Sequence, residues 1–391
     1  MKNINQIGLT WISFLSYAFT GALIIVTGMI MGNIADYFNL SISQMSNTFT
    51  FLNAGILISI FLNSWLIEII SQKKQLIFGF FLTIISIIGL IYSKNTFYFS
   101  INIFMLGIVS GITMSIGTFI ITNLYSEKKR SAQLLLTDSF FSMSGMIFPI
   151  ITAYILENKI LWYWVYVCVG SIYLFIFLLT MNLNFPLLKN KIKSTKINKN
   201  QNINIYLLSI AALLYILGQL GFISWVPQYT TKIIKINMQN TGKLISSFWM
   251  SYMIGMWFFS LIIKFFNLKR TFILLIGIST IFMYFFIHGK NFEILQYTII
   301  SLGFFSSAIY TIIITLASLE TETPSPKLIN LILLCGTIGT LLTFVVTSPI
   351  VEKIGLYAAL ISSNILYSIV FILSLLIYFN KKKHNTPRKI A

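Results

Sequence analysis

Acidic residues are almost missing from this sequence: only nine of its 391 residues are Asp or Glu. Charged residues of both signs together make up 9%, against about 25% in a soluble domain. Histidine is limited to His288 and His384, and cysteine to Cys168 and Cys335, both inside apolar runs. That excludes a disulfide framework, a zinc spacing and a CxxC pair, and no cofactor or metal is expected. Neither GxxxxGK[ST] nor GxSxG nor HExxH occurs, so nucleotide-driven transport is not expected and no known nucleophile–base pattern is present. A membrane-embedded enzyme would need paired carboxylates or histidines deep in facing helices, and none is visible.

What is present is apolar. Hydrophobic residues are 57% of the chain, mean hydropathy is +0.86, and twelve long apolar runs recur from Thr10–Met31 to Leu356–Phe379. Span five reads as Leu134–Leu156 and span ten as a continuous Ile294–Leu316. Runs of this length read as transmembrane helices. Irregular backbone facing lipid leaves unpaired amides, and the alternation of an outer-membrane barrel is absent. The expected class is an all-α membrane protein with twelve transmembrane helices, embedded in a lipid bilayer.

The formal net charge of +18 invites a nucleic-acid reading, but the placement of the charges argues against it. With the N-terminus in the cytoplasm, 20 Lys and Arg fall in cytoplasmic segments and 7 on the opposite side. That is the positive-inside pattern. It predicts a multi-pass protein of the cell (inner) membrane with both termini cytoplasmic and no nucleic-acid or nucleotide partner. The first apolar run is too long for a cleaved signal peptide and is expected to act as an uncleaved one.

One segment breaks the rhythm. Residues 187–204 are rich in Lys and Asn and follow span six. They divide the chain into an N-terminal six-helix half (1–186), a basic cytoplasmic linker (187–204), a C-terminal six-helix half (205–380) and a basic tail (381–391). A degenerate repeat supports this. Ser64, Glu68, Lys73 and Lys74 after span two correspond to Ser260, Lys264, Lys269 and Arg270 after span eight, 196 residues later. Two six-helix halves with matching loops resemble the major facilitator superfamily. The stretches Leu9–Phe38, Ser46–Asn63, Leu106–Ile120, Thr137–Pro149, Tyr215–Pro227, Leu302–Leu316 and Cys335–Val346 resemble its TsgA family. The resemblance implies an inner-membrane transporter of the facilitator fold and supplies no substrate.

A carboxylate in or near a span is costly and is a functional candidate by default. Asp36 ends span one on the face marked by Gly21, Gly28 and Gly32, one turn after Asn33. Together they are candidates for substrate or proton coupling. Neutral polar groups inside the spans, Asn53, Gln219 and Asn330, are cavity candidates beside them. Glu68, Lys73, Lys74 and Asp138 are candidates for a cytoplasmic gate, with Asp138 placed just inside the cytoplasmic end of span five. Glu352 is a weaker candidate, and Glu127, Glu157, Glu293, Glu320 and Glu322 are expected to be solvated loop acids. Trp11, Tyr17, Trp162, Trp164, Trp249 and Trp257 are read mostly as interfacial belts.

The expected function is secondary transport of a small molecule by rocking of the two halves about a midplane site, with a proton as candidate coupling ion. The rival readings are a non-transporting receptor or scaffold and, less favoured, a membrane-embedded enzyme. A receptor would usually carry a soluble sensing domain, and the longest loop here is about 20 residues.

Overall fold

The computed structural model describes residues 2–125, 127–185, 203–262, 265–319 and 326–380. The linker at 187–202 and the tail at 381–391 lie outside them, as do the side chains at 2–3, 64–65, 67–68, 127–132, 318–319 and 326–330. The described helices in chain order are α1 (Lys2–Tyr37), α2 (Ile42–Ile69), α3 (Gln72–Ile91), α4 (Thr96–Leu124), α5 (Glu127–Glu157), α6 (Tyr163–Asn182) and α7 (Ile203–Lys232). They continue with α8 (Met238–Ile262), α9 (Leu268–His288), α10 (Phe292–Ser306), α11 (Ile309–Leu319), α12 (Pro326–Lys353) and α13 (Leu356–Phe379). Twelve stretches are long and apolar enough to cross a bilayer, α10 and α11 together forming the tenth.

The tenth span is not the continuous helix that its composition suggests. The Ser307 hydroxyl donates to the Phe304 carbonyl at 2.7 Å, and the Ser307 amide reaches the same oxygen. The same hydroxyl contact leaves α8 unbroken at Ser251, so the displaced bond is that of the backbone amide, which takes a carbonyl three residues back in place of four. The neighbouring Ser306 carbonyl instead accepts the Tyr215 hydroxyl of α7 at 2.7 Å. Broken backbone at membrane depth is tolerated where a neighbouring helix satisfies it.

Short turns reverse the chain at the membrane faces, and here the repeat becomes structural. Asn39, between α1 and α2, and Lys235, between α7 and α8, are both left-handed, at φ 54° and 64°. Lys159, between α5 and α6, is left-handed at φ 56°, and its counterpart Gly355, between α12 and α13, at φ 114°. Each pair is separated by the same 196 residues. At the other face, the Lys73 ammonium donates to the Met181 carbonyl at the end of α6 at 2.9 Å. Lys269 does the same to Ile377 at the end of α13 at 3.0 Å. A cation there satisfies orphan carbonyls and complements the negative end of the helix dipole.

α1 and α7 are the most enclosed spans, and α3, α6 and α13 the most exposed. The exposed faces carry large apolar side chains such as Phe78, Phe81, Ile85, Phe175 and Leu178, as contact with lipid requires. Close helix approach depends on small residues, since lipid is as apolar as the helices and gives no hydrophobic drive to associate. Gly28 of α1 shows this: a β-carbon there would lie 2.6 Å from the Ser224 carbonyl oxygen of α7.

Candidate functional site

The start of α1 and the end of α13 lie on one side of the bundle. The hydrogen bonds Asn5–Asn184 and Asn380–Asn204 tie chain segments together there. Contacts between residues of the first six spans and residues of the last six cluster on the other side, called the far side here. Gly28 and Gly32 of α1 meet Ser224 and Gln228 of α7, and the Gln228 amide donates to the Gly28 carbonyl at 3.3 Å. Ser43 and Ser46 of α2 bond Ser348 of α12, and the Asn53 amide donates to the Thr340 carbonyl at 3.0 Å. The Ser246 hydroxyl of α8 donates to the Met146 carbonyl of α5 at 2.6 Å. Phe141 of α5 meets Trp249 of α8 edge-on at 5.6 Å. A narrow cavity of about 10 Å³ lies within this closure, lined by Thr27, Asn53, Ser224 and Thr343 among others. That is room for about one water.

Asp138 sits one helical turn from Phe141, toward the termini. It lies eleven residues into α5, about 16 Å along the axis at 1.5 Å per residue. α5 begins at Glu127, seven residues before the expected start of span five, but its membrane-spanning stretch is Gln133–Glu157, so Asp138 stands five residues inside that stretch, close to where the sequence placed it. Solvent reaches it, yet protein crowds it from both halves. Its charge acts on the hydroxyls of Tyr17 of α1, Tyr252 of α8 and Tyr310 of α11. Among the described residues no hydrogen bond or ion pair holds its carboxylate. A solvent-reached carboxylate enclosed in this way lines an internal cleft just beneath the far-side closure.

The cleft continues as a polar network on the C-terminal half. The Tyr252 hydroxyl lies near the side chains of Gln219 and Tyr215, both on α7 one turn apart. Tyr215 passes on to the Ser306 carbonyl at the break between α10 and α11. Tyr367 of α13 packs its ring 5.4 Å from that of Tyr215, and its buried hydroxyl lacks a well-formed hydrogen bond. Tyr17 bonds Thr118 of α4 at 2.9 Å. This arrangement can exchange hydrogen bonds with a polar solute and can carry a proton on its single carboxylate. It has no nucleophile–base pair, and no group of three or more metal-ligating side chains occurs among the described residues.

The family model described as Major Facilitator Superfamily matches residues 10–323. The chain belongs to the Major Facilitator Superfamily. A TsgA homolog of Buchnera aphidicola subsp. Acyrthosiphon pisum is 73% identical over 98% of this chain and 99% of its own length. A TsgA homolog of Yersinia pseudotuberculosis is 57% identical over 98% of each, so this facilitator belongs with the TsgA proteins within the superfamily. A crystal structure of the nucleoside transporter NupG superposes with a TM-score of 0.71 at 12% identity, covering 96% of this chain and 99% of that one. At that identity the likeness concerns the fold. The chain is a multi-pass membrane transporter of a small molecule and not an enzyme.

In this facilitator the residues singled out by sequence fall in different places. Asn53 and Gln219 are buried, the first in the far-side closure and the second in the cleft network. Asn33 and Asp36 are exposed at the far end of α1, away from Asp138. Lys73 is engaged at the end of α6 in its own half, and Lys74 is exposed. The side chains of Glu68 and Asn330 lie outside the described residues.

Two readings are corrected. Tyr17, Trp162 and Trp249 are not belt residues: each is under a tenth exposed. Trp11, Trp164 and Trp257 remain nearly half exposed, as a belt requires. Glu157 is not a simple loop acid: it closes α5, and its carboxylate accepts the Gln239 amide of α8 at 2.7 Å. The tyrosines of the cleft escaped the sequence reading because hydropathy places them with the lipid-facing aromatics. One signal could have found some of them: Tyr215 and Gln219 stand one turn apart, a polar pair inside an otherwise apolar span.

Proposed function

We propose that this facilitator couples solute movement to protons through Asp138, with the termini and the 187–204 linker in the cytoplasm of the inner membrane. The far-side closure then makes the conformation inward-facing. The observation that carries the proposal is Asp138 itself: a lone carboxylate, reached by solvent, at the depth where the two halves meet, beneath a sealed far side. Carboxylates in such positions are kept at a cost and mark ion and substrate paths. Midplane sites between repeats are where transporters of this architecture bind. Asp36 and Asn33 are exposed at the far end of α1 and are the weaker coupling candidates.

The lining suits a small, uncharged, hydroxyl-bearing solute. Tyr17, Gln219, Tyr252 and Tyr310 offer donors and acceptors, and the Phe141–Trp249 pair closes the top of the cleft with apolar rings. Nucleosides, carried by the fold neighbour named above, fit that description and belong with sugars and polyols on any panel.

The test uses proteoliposomes loaded with pyranine, to which each member of such a panel is added while luminal pH is read. At least one solute should drive proton entry in the unaltered protein. Asp138→Asn should abolish that proton signal while Asp36→Asn retains it. Proton entry persisting in Asp138→Asn, or lost only in Asp36→Asn, would overturn the assignment.

A further inference from the structure

Two acids outside the cleft stand one residue out of register in the two halves. Glu157 is the last residue of α5, and its carboxylate accepts the backbone amide of Gln239 at 2.7 Å. Gln239 is in the first turn of α8, whose cap is Asn237: its side chain accepts from Asn240 at 2.8 Å. Glu352 is the next-to-last residue of α12, and the Ser43 hydroxyl lies 3.2 Å from its carboxylate. Ser43 is in the first turn of α2, whose cap is Ser41: its side chain accepts from Gln44 at 3.1 Å. Cap to cap and Ser43 to Gln239, the offset is 196 residues; Glu157 to Glu352 it is 195. The repeat thus places an acid at the end of span five on the start of span eight, and an acid at the end of span eleven on the start of span two. Each contact crosses between the halves.

The electrostatic setting is alike at both, while the contacts differ: Glu157 accepts a backbone amide, and Glu352 faces the Ser43 hydroxyl, which also reaches the Ser348 carbonyl at 2.9 Å. A helix N-terminus presents unpaired amides and the positive end of its dipole, and a carboxylate there is stabilising. Each acid sits at the negative C-terminal end of its own helix, where its charge is unfavourable. Contact with the facing N-terminus relieves that, and separation of the halves restores it. We infer that Glu157 and Glu352 form a paired far-side latch, each carboxylate holding the first turn of a helix in the opposite half, so that both contacts break when the far side opens. The inference rests on the alternating-access reading, and its test reads accessibility rather than transport, so it can fail while that reading stands.

The test uses a protein in which Cys168 and Cys335 are replaced by Ser and Thr27 by Cys. Thr27 is buried in the closed far-side cavity. A membrane-impermeant maleimide is applied from the far side and the labelling rate measured. Glu157→Gln and Glu352→Gln should each raise it about two- to five-fold, the range of a single carboxylate–dipole contact, and the double variant should raise it by about the product. Glu293→Gln, in the first turn of α10 in its own half, should leave the rate unchanged. An unchanged rate in the double variant, or an equal rise with Glu293→Gln, would overturn the latch.

Discussion

At the residue scale, function concentrates in a few polar groups that a hydropathy reading hides. Asp138 is legible as a candidate because charge is so rare, but its company of tyrosines from α1, α8 and α11 is not, since hydropathy reads them as lipid-facing aromatics. Tyr215 links α7 to the broken tenth span through the Ser306 carbonyl. Tyr215→Phe removes one donor and leaves that carbonyl unpaired, at a cost of about 1 kcal/mol. A small fall in the melting temperature of detergent-purified protein is expected, together with altered labelling of a cysteine placed at Ser306. A variant that melts at the same temperature and labels identically would show that the tyrosine does not hold the break.

At the element scale, the chain is easier to read. Twelve apolar runs give twelve spans, because nothing but a helix satisfies its backbone in lipid. The glycine spacing in span one marks a packed face, and Gly28 and Gly32 do meet α7. What was not legible is which end of that face carries the chemistry: glycine reports closeness to a neighbour and nothing about solvent, so Asp36 on the same stripe is exposed. The interruption between α10 and α11 was equally hidden, since Ser306 and Ser307 cost little in a hydropathy sum. Gly28→Leu should act on this packed face. Its side chain would collide with the Ser224 backbone, an overpacking penalty of about 1–3 kcal/mol, incurred in the far-side-closed state. Far-side labelling of a cysteine at Thr27 should rise while the protein remains monodisperse. No rise would mean that α1 and α7 do not separate when the far side opens.

At the scale of the whole molecule, one offset organises the structure. The 196-residue repeat, faint in the loops of the sequence, recurs in the left-handed residues at Asn39 and Lys235 and in the lysines that tie α3 to α6 and α9 to α13, and the two acids on facing helix starts stand one residue out of that register. Duplicated halves explain why closure is built from matched pairs of contacts. They also explain where the symmetry is broken: Asp138 lies 196 residues before Leu334, an apolar residue, so the halves share a frame while the chemistry is one-sided. The most direct measurement is the reactivity of Asp138→Cys, in a protein with Cys168 and Cys335 replaced by Ser, toward a membrane-impermeant maleimide applied to each face of oriented vesicles. Much faster labelling from the face that carries the termini is the expected result, with slower labelling from the far side that accelerates when Glu157 and Glu352 are both neutralised. Labelling from neither face, or faster labelling from the far side, would contradict a central carboxylate in a cleft open toward the termini.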